Sequence, residues 1–247
     1  METLALVDVL AIAILLIAAF VHGAFGFGFP LVATPLLVLM MDMRAAVLIT
    51  LIPTILINLI SIATERRWLQ ALRRFWPIPI FTMVGSLLGT QVLLTVDPEP
   101  FRLLLALALI VFLILDRRRG DGPEHVVPAW GLALLGLGMG LMAGLVNVFS
   151  PIVVAFALYT RMHPSLMVAT FNLSFITSKS GQLTGFALQD ALESRIIELA
   201  VLALPLVLLV LWLGIWIRRR LDQVAYRSWL TRALWVIAAV LILDSIG

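Results

Sequence analysis

The stretch HGAFGFGFP at residues 22–30 follows an apolar run over residues 4–21, at the point where a membrane helix would continue. Its three glycines and Pro30 weaken helical structure, so the stretch predicts a broken helix with unpaired backbone N–H and C=O groups. Inside a bilayer such groups persist where they line a cavity, and a helix that begins after the break directs N–H donors toward an anion. Gly26 and Gly28 are therefore candidate binding residues. His22 is a candidate for proton coupling, and the alternative is a neutral histidine bonded to a carbonyl.

The chain as a whole is too apolar for a water-soluble fold. Of its 247 residues, 62% are hydrophobic and 13% are charged, and the mean hydropathy is +1.12. The apolar residues form runs of about 15 to 22, the helix length that crosses roughly 30 Å of hydrocarbon, without the alternation of a barrel. We therefore predict an all-α polytopic membrane protein. The absence of cysteine excludes disulfides and thiolate metal sites.

Ten apolar segments are predicted along the chain. The second and the seventh contain Gly or Pro, and each either crosses the bilayer or turns back within it. The first lacks the basic start and the cleavage site of a signal peptide, so we expect a mature helix there. The segments lie approximately at residues 4–21, 24–41, 45–64, 75–95, 101–115, 129–146, 149–160, 165–187, 196–217 and 228–246.

Three arginine clusters predict the orientation of the chain. Because basic loops stay on the cytoplasmic side, these clusters are expected inside and the acidic connections near residues 98 and 191 outside. The clusters also explain the high isoelectric point without nucleic acid, since they are suited to contact lipid headgroups. They comprise Arg66, Arg67, Arg73 and Arg74; Arg117, Arg118 and Arg119; and Arg218, Arg219, Arg220 and Arg227.

The predicted orientation makes the second half of the chain an inverted copy of the first. The loop near residue 70 is inside and the one about 120 positions later is outside, which requires an odd number of crossings per half. Residues 23–30 and 144–151 both run from Gly to Pro, 121 positions apart. We therefore predict two inverted-topology repeats of about five segments, 1–120 and 121–247, in one membrane domain. Chance recurrence is the alternative, because Gly and Pro are common in membrane helices.

The second glycine-rich stretch contains a packing pattern followed by a break. Gly136, Gly138, Gly140 and Gly144 have overlapping GxxxG spacings, for which close helix packing is the alternative to a role in the break. The sequence NVFSP at residues 147–151 then predicts a helix start, because its Pro follows polar residues. Asn147 and Ser150 are candidate binding residues beside Gly26 and Gly28.

These repeated breaks resemble the TauE/SafE family of sulfite exporter-like permeases. The resemblance rests on the first break followed by Pro35-Leu36-Leu37 and a second helix, and on its repetition from residue 144 through Ala169-Thr170. It covers essentially the whole chain. What it implies is movement of sulfite, sulfonates or related small organosulfur anions across the bacterial inner membrane.

Lys179 is the strongest candidate for contact with an anion. It is the only lysine in the chain and lies in the middle of an apolar segment, where an ammonium group costs roughly 2.5 to 3.5 kcal/mol. Such a group faces a cavity or a partner; the alternatives are snorkelling or pairing with a carbonyl. Asn172 and Gln182 share its helical face and Ser178 lies beside it, which predicts a cationic, hydrogen-bonding wall.

A second polar stripe occurs in the first half of the chain. It consists of Thr50, Thr54, Asn58 and Ser61, and at the offset of 121 Asn58 matches Lys179 and Ser61 matches Gln182. The two stripes are predicted to face each other across a substrate site. Ordinary hydrogen bonding between helices is the alternative.

The function favoured by these features is a secondary transporter or facilitator for a small anion, working by alternating access. An anion channel with the same lining is the alternative, and a membrane assembly protein is a weaker one. The sequence has no metalloprotease, nucleophile-elbow or P-loop motif, which argues against an enzyme and against direct use of ATP. We expect no cofactor, metal or nucleic acid, and expect a small anionic substrate, membrane lipids, a multi-pass location in the bacterial inner membrane and a possible homo-oligomer.

Overall fold

A computed structural model describes residues 6–64, 67–97, 99–116, 125–218 and 223–246, and these residues fold into helices joined by short connections. The helices are α1 (Leu6–Phe25), α2 (Phe29–Val38), α3 (Met43–Thr64), α4 (Trp68–Phe75), α5 (Pro77–Thr95), α6 (Glu99–Asp116), α7 (Ala129–Val146), α8 (Ser150–Tyr159), α9 (Pro164–Leu188), α10 (Ser194–Ile217) and α11 (Gln223–Ile246).

Every predicted apolar segment corresponds to a helix, which confirms the all-α membrane fold. Five helices in the described ranges, α1, α3, α5, α7 and α10, are long and apolar enough to cross a membrane. The prediction missed α4, because its eight residues contain two arginines and a glutamine and so lack an apolar run.

The long helices run in two opposite directions. Asp8 and Arg195 form an ion pair at 3.0 Å, so α1 and α10 begin on the same side. The Arg44 guanidinium donates to the Val96 carbonyl at 2.9 Å, so α3 begins where α5 ends. We call the side where α1, α3 and α10 begin the α1 side, and the side where α5, α7 and α9 begin the α4 side.

The short helices α2 and α8 turn back rather than cross. Each has ten residues, about 15 Å of helix, half the thickness of the hydrocarbon layer. Helix α2 leads back toward the α1 side, where α3 begins, and α8 leads back toward the α4 side, where α9 begins. Each therefore returns to the side from which the preceding long helix came.

Glycines join helices of the first half to helices of the second half. A Cβ on Gly140 would lie 2.8 Å from the Cα of Gly85, and a Cβ on Gly214 would lie 3.1 Å from the Cα of Gly23. Such close approach of two backbones requires residues without side chains. Two glycine seams result, one between α5 and α7 and one between α1 and α10. The packing interpretation of the GxxxG pattern is therefore correct.

The helix boundaries recur along the chain. Helices α2 and α8 begin 121 positions apart, at Phe29 and Ser150, and also end 121 positions apart. Helices at equivalent positions, such as α1 with α7, run in opposite directions. An inverted repeat would have these properties; the repeat itself and its boundary at residue 120 stay predictions.

The described α4 side carries mainly arginines, whereas the α1 side carries carboxylates together with Arg44 and Arg195. Arg67, Arg73 and Arg74 lie around α4, whereas Asp97 and Asp190 lie on the α1 side. The assignment of the α4 side to the cytoplasm remains a prediction. Outside the described residues lie Arg66, Arg117, Arg118, Arg119, Arg219, Arg220 and the side chain of Arg227.

Candidate functional site

Both predicted breaks are present as short unwound segments. Gly26 and Gly28 have φ values of +84° and +105°, and Asn147 has a φ of +60°. Glycine adopts this left-handed region without steric cost, and asparagine tolerates it better than most other residues. Pro30 and Pro151 follow in the first turns of α2 and α8, where a missing N–H breaks no helical hydrogen bond.

Asn147 connects three helices at the second break. Its Nδ2 donates to Thr34 Oγ1 of α2 and to Thr50 Oγ1 of α3, each at 2.8 Å. Its Oδ1 accepts from the Lys179 ammonium group of α9. All four side chains are buried, so this cluster is closed to solvent.

Lys179 is held by neutral oxygen atoms. Besides Asn147, its Nζ donates to Gln182 Oε1 at 2.6 Å, and Gln182 Nε2 donates to the Ala143 carbonyl at 2.5 Å. The hydrogen bonds described for Lys179 thus go to amide oxygens and none to a carboxylate. Because no carboxylate among the described residues bonds to Lys179, a protonated Lys179 would keep its attraction for an anion.

A second polar level lies nearer the α4 side. Asn172 Nδ2 donates to the Gly26 carbonyl at 3.3 Å, and His22 Nε2 is 2.9 Å from Ser61 Oγ. Asn172 and Lys179 are seven residues apart on α9, so the two levels differ in height by about 10 Å.

Several buried polar atoms of the described site have no hydrogen-bond partner. A buried polar atom that is left unpaired calls for an explanation, and a ligand is one of the groups that can supply the missing bond. These atoms are His22 Nδ1, Asn58 Oδ1, Ser150 Oγ and Asn172 Oδ1.

Aromatic rings fill the space between the two breaks. Phe27, in the first break, stacks on Phe171 of α9 with ring centroids 5.1 Å apart. Phe149, in the second break, stacks on the same ring at 5.9 Å and lies 4.2 Å from Phe175. We call these four rings the aromatic stack. The stack joins both breaks to one face of α9.

A comparison with known families identifies the chain. The family model described as Sulfite exporter TauE/SafE matches residues 10–242. The chain belongs to the TauE/SafE family. No curated protein and no solved structure matches it. Membership confirms the resemblance seen in the sequence and makes the chain a membrane transporter.

The site of this TauE/SafE protein unites some of the predicted residues and separates others. Asn147, Lys179 and Gln182 come together, whereas Asn172 joins Gly26 and His22 joins Ser61 at the other level. The Ser178 hydroxyl donates within α9 to the Phe175 carbonyl at 3.0 Å, and the Ser178 backbone carbonyl accepts from Ser86 Oγ of α5 at 2.7 Å.

Other predicted residues of the TauE/SafE chain have local contacts. Thr54 Oγ1 donates to the Thr50 carbonyl at 2.6 Å, and Asn58 Nδ2 to the Thr54 carbonyl at 2.7 Å. Ser150 is buried in the first turn of α8, and Gly28 has no neighbour within 4 Å of the place where a Cβ would lie.

The sequence reasoning missed Thr34 and the aromatic stack. Thr34 is the only hydroxyl-bearing residue of α2, and that isolation in an apolar helix was an available signal. Phe171 and Phe175 are four residues apart and so share a helix face, but nothing local indicates that Phe27 and Phe149 would meet them.

Proposed function

We propose that this chain moves a small organosulfur or sulfur oxyanion, such as sulfite or a sulfonate, across the bacterial inner membrane as a secondary transporter or facilitator. Membership of the sulfite exporter family supports the substrate class. The observation that carries the proposal is the fully buried Lys179, held by neutral amides.

The chemistry of the cluster suits an oxyanion. A sulfite or sulfonate group presents several oxygen atoms with negative charge, and ammonium and amide N–H groups are strong donors to such atoms. The anion would replace Asn147 Oδ1 and Gln182 Oε1 as acceptor for Lys179. The Thr34 hydroxyl, which accepts from Asn147 Nδ2, lies beside that position and can donate its own proton to the anion.

The closed arrangement is suited to alternating access. Lys179 is fully buried, and Phe171 and Phe175 of the aromatic stack lie on α9 between Lys179 and the α4 side. On the α1 side Arg44 links α3 to α5 through the carbonyls of Leu93 and Val96 at 3.0 and 2.9 Å. In the proposed cycle these two barriers open in turn, so that the anion reaches one side at a time.

The test is counterflow in proteoliposomes containing wild type or Lys179→Ala. Vesicles are loaded with unlabelled sulfite, sulfate, thiosulfate, a short sulfonate or chloride, and entry of ³⁵S-labelled sulfite is followed. We expect saturable counterflow for the sulfur oxyanions and at least about a tenfold loss of apparent affinity in the variant, since a hydrogen bond to a charged group contributes about 1.5 to 3 kcal/mol.

Thr90→Val is the control for this test. It removes a buried hydroxyl that has no partner in the described structure and makes no described hydrogen bond to the Lys179 cluster. Equal counterflow in wild type and Lys179→Ala would make the lysine structural. Conductance without counterflow would establish a channel.

A further inference from the structure

Helix α4 presents arginines beside exposed apolar side chains. Arg73 and Arg74 are exposed, and so are Trp68, Leu69 and Trp76. The helix lies between two membrane-crossing helices, α3 and α5, at one end of the bundle. A short helix with this mixture of residues is typical of the membrane–water interface, where tryptophan and arginine both reach headgroup level.

The arginines of α4 line an open groove. Its volume is about 450 Å³, and its lining residues are Leu69, Gln70, Arg73 and Arg74. Guanidinium groups bind phosphate oxygens in pairs, and the glutamine amide adds a further donor. The exposed side chains of Trp68, Leu69 and Trp76 offer an apolar surface to acyl chains.

We propose that the α4 groove binds the phosphate headgroup of an anionic phospholipid. The chemistry that carries the assignment is charge complementarity at headgroup depth, together with an apolar surface beside the charge. This site is separate from the Lys179 cluster, and the proposal of lipid binding does not depend on the transported substrate.

The opposite face of α4 connects the groove to the second break. Phe75 is buried and packs edge-on against Phe156 of α8, with ring centroids 5.6 Å apart and an interplanar angle of 83°. The Arg74 Cζ lies 5.4 Å from the centroid of the Phe75 ring. Helix α8 begins at Ser150, next to Asn147, so a lipid on Arg74 stabilises the ring contact that positions α8. Any effect on transport through this contact rests on the proposed function.

Native mass spectrometry of the purified full chain tests the lipid site. The probes are palmitoyl-oleoyl phosphatidylglycerol and the neutral phosphatidylcholine with the same chains. We expect wild type to bind phosphatidylglycerol more tightly and R73Q/R74Q to lose this preference. The expected loss is about 25-fold, since each arginine near an anionic surface contributes about fivefold.

Two controls separate this site from general attraction of acidic lipid. Arg161→Gln removes an exposed arginine outside the groove, beyond the end of α8, and should leave the preference unchanged. Free glycerol phosphate in excess should not displace the lipid; displacement would assign the groove to a soluble phosphate instead. Unchanged lipid binding in R73Q/R74Q, or an equal loss in Arg161→Gln, would overturn the proposal.

Thermal unfolding tests the connection from α4 to α8. Phosphatidylglycerol is expected to raise the Tm of wild type and not that of R73Q/R74Q. Phe156→Leu should still bind the lipid but show a smaller rise in Tm, because the edge-on ring contact is lost. A rise as large as in wild type would show that the groove and α8 are independent.

Discussion

Asn147 and Gly26 are 121 positions apart and occupy the two helix breaks with the same left-handed backbone. The first half of the chain meets this requirement with glycine, which has no side chain. The second half meets it with asparagine, whose amide then reaches Thr34, Thr50 and Lys179. The same backbone geometry therefore places a side-chain amide at the second break, whereas at the first break Gly26 offers only its backbone carbonyl, to Asn172.

Replacement of Thr50 by valine is expected to weaken anion binding about two- to tenfold. Its hydroxyl accepts one of the two Nδ2 hydrogen bonds of Asn147, and loss of a single hydrogen bond costs about 0.5 to 1.5 kcal/mol. Isothermal titration with sulfite measures the effect. Thr90→Val is the matched control, since the buried Thr90 hydroxyl has no described partner. Equal losses in the two variants would contradict a specific role for Thr50.

His22→Gln is expected to remove any pH dependence of transport that arises from proton coupling by His22. Glutamine can retain the hydrogen bond to Ser61 but does not titrate. His163→Gln is the control, since the exposed His163 ring caps α9 by accepting from the Ser165 N–H. Sulfite uptake is measured across the pH range, and a pH profile like that of wild type in His22→Gln would exclude the role.

The sequence identified the residues whose placement inside a membrane is unfavourable in free energy. Lys179 was recognised because a buried ammonium requires a partner, and the breaks because glycine and proline disrupt a helix. Thr34 was missed because its importance depends on Asn147, which lies 113 residues away and meets it only in the folded chain. The contact between Ser178 and α5 was missed for the same reason, since the spacing of residues within one helix does not show which helix packs against it.

At the scale of helices, the glycine seams predict opposite effects for two glycines of α7. A Cβ at Gly140 would meet the backbone of α5, so Gly140→Ala should destabilise the protein by about 1 to 3 kcal/mol. Gly138 has no neighbour within 4 Å of its Cβ position, so Gly138→Ala should be neutral or stabilising by up to about 1 kcal/mol. Thermal unfolding in detergent distinguishes them, and a similar Tm for both variants would contradict the seam.

The apolar segments predicted the positions of the membrane helices well. Inside lipid, a single apolar run of this length can satisfy its backbone hydrogen bonds only as a helix. The same reasoning missed α4, which lies outside the apolar runs. It also left open whether segments 24–41 and 149–160 cross the bilayer. Their ten-residue helices decide that they turn back, a result that depends on where the chain re-forms a helix after each break.

At the scale of the whole molecule, the apolar core divides differently from the sequence. One cluster of buried side chains contains residues of α4, α5, α7, α8 and α9, including Phe75, Met139 and Phe171. The other lies mainly in α1, α2, α3, α6, α10 and α11. Each group of helices includes members of both halves of the chain. The site around Lys179 lies where α3 of the second group meets α9 of the first. We therefore expect the moving bodies to be these two groups rather than residues 1–120 and 121–247.

Two cross-links on the α1 side test whether these two groups of helices move relative to each other. The chain has no cysteine, so each introduced pair is the only pair of thiols. Gln91→Cys with Gln189→Cys joins α5 to the residue after α9, within one body, where the two amides are 2.5 Å apart. Arg44→Cys with Val96→Cys joins the two bodies. With a reducible bifunctional thiol reagent, the first pair should keep counterflow and the second should lose it until reduction. Loss in the first pair, or retention in the second, would disprove the division.

The glycine seams also determine an order of assembly during synthesis. The partner of α5 is α7, which follows after one further helix, so that seam can close early. The partner of α1 is α10, which begins at Ser194, 169 residues after Phe25. At about 5 to 20 residues per second, Gly23 waits roughly ten to forty seconds in the bilayer for Gly214. During that interval the nascent N-terminal helix exposes its small-residue face to lipid and to any other helix nearby, which makes it the segment most in need of an insertase or chaperone.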